Sequence, residues 1–276
     1  MSKSLLEQVK YSPLSRIATL PIRIRGGFSP LWSQAGRTLK WLVSSREWVN
    51  YSYDYDPVGL LAVAAAIGDI CGVPAETVRG YAKELSTDAV FAERYRQRVS
   101  STRLRYISDP KLHMGKCLFN YMLVRASGAR VVFEAGTERG LSALAICRAL
   151  RLNAAGGGAA PKLITVDIAT DRGEFLQGDE DGLVTRLTGD SVAAIRDVGL
   201  MIDCFIHDTV NDSQHTQLQL ATVASKLAPR AVIHTSWFNQ DFVAFCERAG
   251  MRYLEVAERP QDHWYAGRRC GLASLR

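Results

Sequence analysis

No stretch of this 276-residue chain reaches the roughly 18–20 consecutive apolar residues that a membrane-crossing helix requires. The best candidate, residues 57–68, is too short and runs into Asp69, so it reads as a buried helix with no membrane span. The start of the sequence, with Lys3 and Glu7, lacks the apolar stretch and small-residue cleavage site of a secretory signal. Close cysteine pairs at metal-ligand spacing are missing too. Cys71, Cys117, Cys147, Cys204, Cys246 and Cys270 are scattered, and Cys147 and Cys204 fall inside apolar runs. Such thiols suit a reducing compartment better than a disulfide framework, so the cytoplasm is the expected location.

Acidic residues are scarce in one place. Residues 1–48 hold eight Lys or Arg side chains against only Glu7 and Glu47, which accounts for the whole net charge of +6. Over the rest of the chain the two signs balance. A basic arm fits a solvated leader or an arm crossing a subunit interface, which leaves a homo-oligomer open. Nucleic acid, an anionic membrane surface or an acidic partner are the alternatives. Sparse aromatic interleaving and the lack of a nucleic-acid motif disfavour nucleic acid.

What the sequence does contain falls into three regions. Residues 1–30, with Pro13, Pro21, Gly26, Gly27 and Pro30, are expected to form an irregular basic leader. Residues 31–127 read as a helical cap or accessory region, with helices over 58–70, 75–85 and 89–99. A further helix is expected to be capped by Asp109, opened by Pro110 and stopped at Ser127-Gly128. From 128 to 276 the pattern changes to short apolar or β-branched runs between helical segments. Strands are expected at 131–135, 163–168, 183–188, 201–207 and 231–235, with an antiparallel pair at 252–256 and 270–275. Continuous apolar strands alternating with helices predict an α/β fold, a doubly wound and mostly parallel seven-stranded sheet covered on both faces. The acidic stretch 171–181 reads as a solvated insertion.

The segment Val131-Val-Phe-Glu-Ala-Gly-Thr-Glu-Arg-Gly140 runs from a strand through a glycine turn into a helix. Gly136 and Gly140 let the backbone pass close to a ligand and to the following helix. The spacing is not G-x-G-x-x-G, so the nicotinamide and flavin fingerprint is not met. Asp167 ends the next strand, and in a doubly wound sheet adjacent strand ends face one crevice, where a carboxylate can accept from both hydroxyls of a ribose. Thr188-Gly189-Asp190-Ser191 follows the third strand.

These segments resemble the motifs of class I S-adenosylmethionine-dependent methyltransferases, the first in its E-x-G-T-x-x-G form. The resemblance implies a Rossmann-like core that binds S-adenosylmethionine. It places Glu134 near the amino group of the cofactor's methionine part, with Gly136, Thr137 and Gly140 lining the pocket. Asp167 then holds the ribose, and Asp190 and Ser191 lie where adenine is recognised. Phe205-Ile-His-Asp208 and Asp212-Ser-Gln-His-Thr216 look like two separated halves of a motif from a bacterial branch that methylates small molecules. Asn50-Tyr-Ser-Tyr-Asp54 and Gly271-Leu272 carry the likeness further, over roughly residues 45–276. Some relatives hold a divalent metal with the aspartate of this motif, a role open here to either Asp208 or Asp212, and an acidic pair after the fifth strand. Here His234 and Thr235 stand in place of that pair. Hard cations want several oxygen ligands, so no metal ligand is assigned and a divalent metal is disfavoured.

A hydroxyl acceptor needs its proton removed by a group that titrates near the working pH. His215, with Asp208, is the favoured catalytic pair, and His207 is expected to hydrogen-bond internally. Tyr53 and Trp237 are candidates for the acceptor pocket. The reading is methyl transfer to a small organic acceptor, a hydroxyl oxygen of a natural product or sugar. The alternatives are an N-, C- or RNA methyltransferase, or a cofactor-binding subunit without catalysis.

Overall fold

The computed structural model describes residues 20–47, 53–109, 112–157, 160–176 and 182–275. The chain divides into two compact units. The smaller contains residues up to Arg46 together with Asp262–Trp264, and the larger holds the remainder.

In the smaller unit, helix α1 (Leu20–Ser44) is continuous for 25 residues. It therefore overturns the irregular conformation expected for residues 20–30. Pro21 lies in the first turn, where its missing N–H has no intrahelical partner to lose, and Pro30, Gly26 and Gly27 are carried inside the helix. The inner face of α1 is fixed by Trp41, whose ring lies 5.3 Å from that of Trp264, and by an ion pair from Lys40 to Asp262.

In the larger unit, α2 (Pro57–Cys71) begins with Pro57 behind the N-cap Asp56, whose carboxylate accepts from Gly59 N. Helices α3 (Ala75–Ser86) and α4 (Ala89–Ser101) follow close to their expected limits. Helix α5 (Gly115–Ser127) starts at Gly115 rather than behind Asp109, and residues 110 and 111 lie outside the described set. Its end is as the sequence reads: Gly128 takes a left-handed conformation and its N–H bonds to Arg125 O. Residues from Gly115 to Val124 are almost all buried, so α5 runs through the core and carries Lys116 and Asn120 with it.

The sheet has seven strands: β1 (Val131–Ala135), β2 (Lys162–Asp167), β3 (Val184–Thr188), β4 (Ile202–His207), β5 (Leu227–Thr235), β6 (Arg252–Ala257) and β7 (Arg269–Ser274). Their order is β3-β2-β1-β4-β5-β7-β6, parallel through β5, with β7 antiparallel to both its neighbours. Side chains alternate across each strand. Val132 and Cys204 join the core against α5 and α6 (Leu141–Ala154), while Phe133 and Phe205 join the opposite core under α7 (Ser191–Asp197), α8 (Ser213–Ala224) and α9 (Gln240–Arg248). Both faces being covered explains why the central strands β1, β2, β4 and β5 read as largely apolar runs. The stretch expected to be a solvated insertion contains a 3₁₀ turn (Glu174–Leu176) whose Phe175 and Leu176 are buried, while residues 177–181 lie outside the described set. Connections leave β1 and β4 in opposite directions along the sheet, so a crevice opens at their carboxyl ends.

Candidate active site

A cavity of ≈ 590 Å³ occupies that crevice. Its floor is the turn after β1, where Gly136 has φ +102. A side chain there would overlap the carbonyl oxygen of Asp208, so the ends of β1 and β4 approach this closely only because residue 136 is glycine. Glu138, two residues on, also has positive φ at 45, which turns its amide toward Asp167. Asp167 is held by two backbone amides, Glu138 N at 2.9 Å and Ala169 N at 3.1 Å. Each carboxylate oxygen keeps further acceptor capacity on the cavity wall.

Asp190 also lines the cavity, and one of its oxygens caps α7 by accepting from Ala193 N at 2.8 Å. Ser191, Thr137 and Gly140 line it as well. The Thr137 hydroxyl lies 2.6 Å from that of Thr165, beneath the wall. Glu134 does not reach the cavity. It points to the α5 and α6 side, fully buried, and accepts from the Thr165 hydroxyl at 2.7 Å. Burial raises its carboxyl to about 7 against the opposing pull of Thr165, Ser142 and Lys116. Of the two carboxylates the sequence sends to one hollow, only Asp167 is exposed to it.

The opposite half of the cavity is built around Asp208. Lys116 from α5 forms an ion pair with one carboxylate oxygen, and Arg268, just before β7, donates to the other at 3.3 Å. The Arg268 guanidinium stands 4.8 Å above the Trp237 ring, whose Nε1 donates to Thr209 O. Burial, with Arg268 nearby, lowers the Lys116 ammonium to about 8. Lys116, Arg268, Tyr95 and Arg139 line the cavity but were missed in the sequence. One signal was legible: Lys116 and Asn120 interrupt the otherwise apolar or aromatic run from Cys117 to Val124 and its first turn.

His215 lines the cavity on the β3 side. Its Nε2 lies 3.1 Å from the Ser191 hydroxyl and 2.9 Å from Gln219 Nε2, which donates to it. His207 is buried between Thr235 and Thr209, and burial drives its imidazolium down to about 4. Tyr53 is not a pocket residue. Its hydroxyl donates to Glu258 at 2.6 Å in the core, as does that of Tyr55 at 2.7 Å. Asn50, Tyr51 and Ser52 lie outside the described residues.

His234 and Thr235, standing where an acidic pair would be, are engaged elsewhere. His234 Nδ1 bonds to Asn120 Oδ1 at 2.7 Å and its ring stacks on Phe119, while Thr235 bonds to His207. Among the described residues, no group of three His, Cys, Asp or Glu side chains gathers at a point suited to a metal ion. Lys116 and Arg268 between them engage both carboxylate oxygens of Asp208.

Residues 133–235, from within β1 to the end of β5, match the model of a methyltransferase domain. Solved structures similar to this chain include an O-methyltransferase from Bacillus cereus in complex with S-adenosylhomocysteine, at 16% identity and TM-score 0.46, covering 69% of this chain and 92% of that one. An O-methyltransferase of tomaymycin synthesis from Streptomyces achromogenes, in complex with S-adenosylmethionine, is 16% identical with TM-score 0.45, covering 68% and 90%. An S-adenosylhomocysteine-bound methyltransferase from Podospora anserina is 12% identical with TM-score 0.48, covering 73% and 95%. No curated protein matches the sequence.

Proposed function

We infer that this chain is a class I S-adenosylmethionine-dependent methyltransferase, and its methyltransferase domain over residues 133–235 is the premise for assigning the cavity. The observation that carries the reading is geometric. Three successive strand ends, bearing the Gly136 turn, Asp167 and Asp190, converge on one cavity of ≈ 590 Å³. That size suits a nucleoside-bearing ligand and leaves room beside it.

The residues present fit such a cofactor. Asp167, pinned by two amides, has acceptor capacity left for the ribose hydroxyls. Asp190 and Ser191 border the adenine end, and the Gly136–Gly140 turn admits the methionine part against bare backbone. Glu134 acts from beneath the wall through Thr165 and Thr137 rather than by direct contact. S-adenosylmethionine, when bound, supplies a methyl group made electrophilic by its sulfonium sulfur.

The acceptor is a small organic molecule, and we assign methylation to one of its hydroxyl oxygens, as in a natural product or sugar. Trp237 offers a flat apolar wall, and Lys116, Asp208 and Arg268 offer the polar groups of that half. Holding the oxygen in line with the methyl group is the main task. Proton removal falls to Lys116, because an amine brought down to about 8 is partly unprotonated near neutrality. His215, the base favoured by sequence, has its Nε2 engaged by Gln219 on the Ser191 side. The six free thiols are compatible with a reducing, cytoplasmic location.

The test is thermal unfolding of the full chain with S-adenosylmethionine, S-adenosylhomocysteine and NAD. Both adenosyl ligands are expected to raise the transition and NAD is not, because selective binding to the folded state stabilises it. A shift with NAD alone defeats the inference. Asp167→Ala should weaken S-adenosylhomocysteine binding at least about tenfold, the worth of one lost hydrogen bond to a charged acceptor. Unchanged affinity would remove the ribose assignment.

A further inference from the structure

Helix α1 carries no acidic residue in 25 positions, but it carries Arg23, Arg25, Arg37 and Lys40. Most of its described large apolar residues are exposed. Leu20, Ile24, Phe28, Leu31, Trp32, Leu39, Leu42 and Val43 are all open to solvent, Trp32 by 74% and Val43 by 80%. At 100° per residue these fall within an arc of about 140°. They form a stripe along nearly the whole helix. Trp41 and Lys40, which engage Trp264 and Asp262, lie outside the arc, so the stripe is the face left over once α1 has made its contacts within its own unit. Isolated surface hydrophobics need no explanation, whereas a contiguous stripe of this size marks an interaction surface.

We propose that helix α1 docks the protein on an anionic lipid surface, lying in the plane of the interface with the Leu20–Val43 stripe turned into the acyl boundary. Charge selects this occupant over a second copy of the chain. Residues 1–48 hold the molecule's entire excess of +6. Two such helices side by side would bring only like charges together, while an anionic headgroup layer complements them. The residue types agree: Trp and Phe favour the boundary between headgroups and acyl chains, and Leu and Ile anchor below it. Arg25, beside Phe28 and Trp32, borders the stripe where headgroup phosphates would lie. Among the described residues no single helix is long and apolar enough to cross a membrane, so the contact is peripheral. This inference is independent of the methyltransferase reading.

The experiment is flotation of the full chain with phosphatidylcholine vesicles that contain or lack phosphatidylglycerol. The chain should float with the anionic vesicles at least about tenfold more strongly than with neutral ones, and added salt should release it. Trp32→Ser combined with Leu39→Ser should reduce flotation at least about tenfold. Both positions are solvent-exposed, and an unchanged helical circular-dichroism signal and unfolding midpoint will show that the variant folds. The proposal is overturned if anionic vesicles do not retain the chain, or if the double variant floats equally. It is also overturned if sedimentation in lipid-free buffer shows a dimer that the double substitution abolishes while vesicles are ignored.

Discussion

Lys116 and His215 both line the cavity, and their partners separate their roles. Lys116 faces Asp208, an acid that either protonation state of the amine can hydrogen-bond, and burial brings its ammonium down to about 8. His215 faces Ser191 and Gln219, whose amide engages the nitrogen that would accept a proton. With any acceptor that is turned over, Lys116→Met should lower kcat by about a hundredfold or more, in the range of lost general-base catalysis. His215→Gln should cost far less. The rate should rise with pH through about 8 as the ammonium loses its proton, and that limb should vanish in Lys116→Met. NMR of ¹³C-enriched lysine offers a readout without an acceptor: one resonance titrating near 8 in the parent and absent from the variant. A limb that survives Lys116→Met and disappears in His215→Gln would return the role to the histidine.

Among the elements, the turn joining β1 to α6 constrains the site most tightly. Gly136→Ala meets two penalties together, a positive φ and the Asp208 carbonyl in the space of the new methyl group. It should destabilise the fold by at least about 3 kcal/mol. Gly128→Ala has φ +65 but open space around it, so only about 1 kcal/mol is expected. Urea unfolding of the two variants measures the difference, and equal losses would mean that close approach of β1 and β4 does not matter. The same elements show what a sequence displays. Strand β1 was legible to the residue, because a run buried on both sides is bounded by a polar residue and a glycine. Helix α1 was not, since proline and glycine near its start outweighed a periodicity whose apolar face has no core to point to. Tyr53 resembled a pocket residue because its neighbours in sequence do. The carboxylate it needs, Glu258, lies 205 positions away, where local pattern has no reach.

For the whole molecule, the doubly wound, mostly parallel sheet and the crevice at its strand ends followed from alternating strands and helices, whereas the strand order and the pairing of charges inside the cavity did not. Lys116, Asp208 and Arg268 come from three distant segments, and no spacing rule connects them. The buried histidines act at this scale too, through stability. His207 stays neutral in the fold down to about pH 4 because burial disfavours its charge, while the unfolded chain takes up a proton below about 6.5. A folded value below the unfolded one for a base means stability is lost as pH falls through that window. The loss should reach about 3 kcal/mol below pH 4. His207→Gln keeps a partner for Thr235 and removes the titration, so its urea midpoint should gain on the parent's as pH drops from 7 to 4. Parallel curves would show that His207 does not titrate as stated.

The antiparallel placement of β7 between β5 and β6 has a consequence for biosynthesis. Strand β6 leaves the ribosome before β7 yet has no neighbour except β7. Until residue 269 has emerged, the nascent chain therefore presents the bare edge of β5, whose residues from Ala231 to Thr235 are all apolar or buried in the finished protein. Such an edge is a template for pairing with other chains. Crowded translation of this message would then reward a chaperone that shields β5 until the last strand arrives.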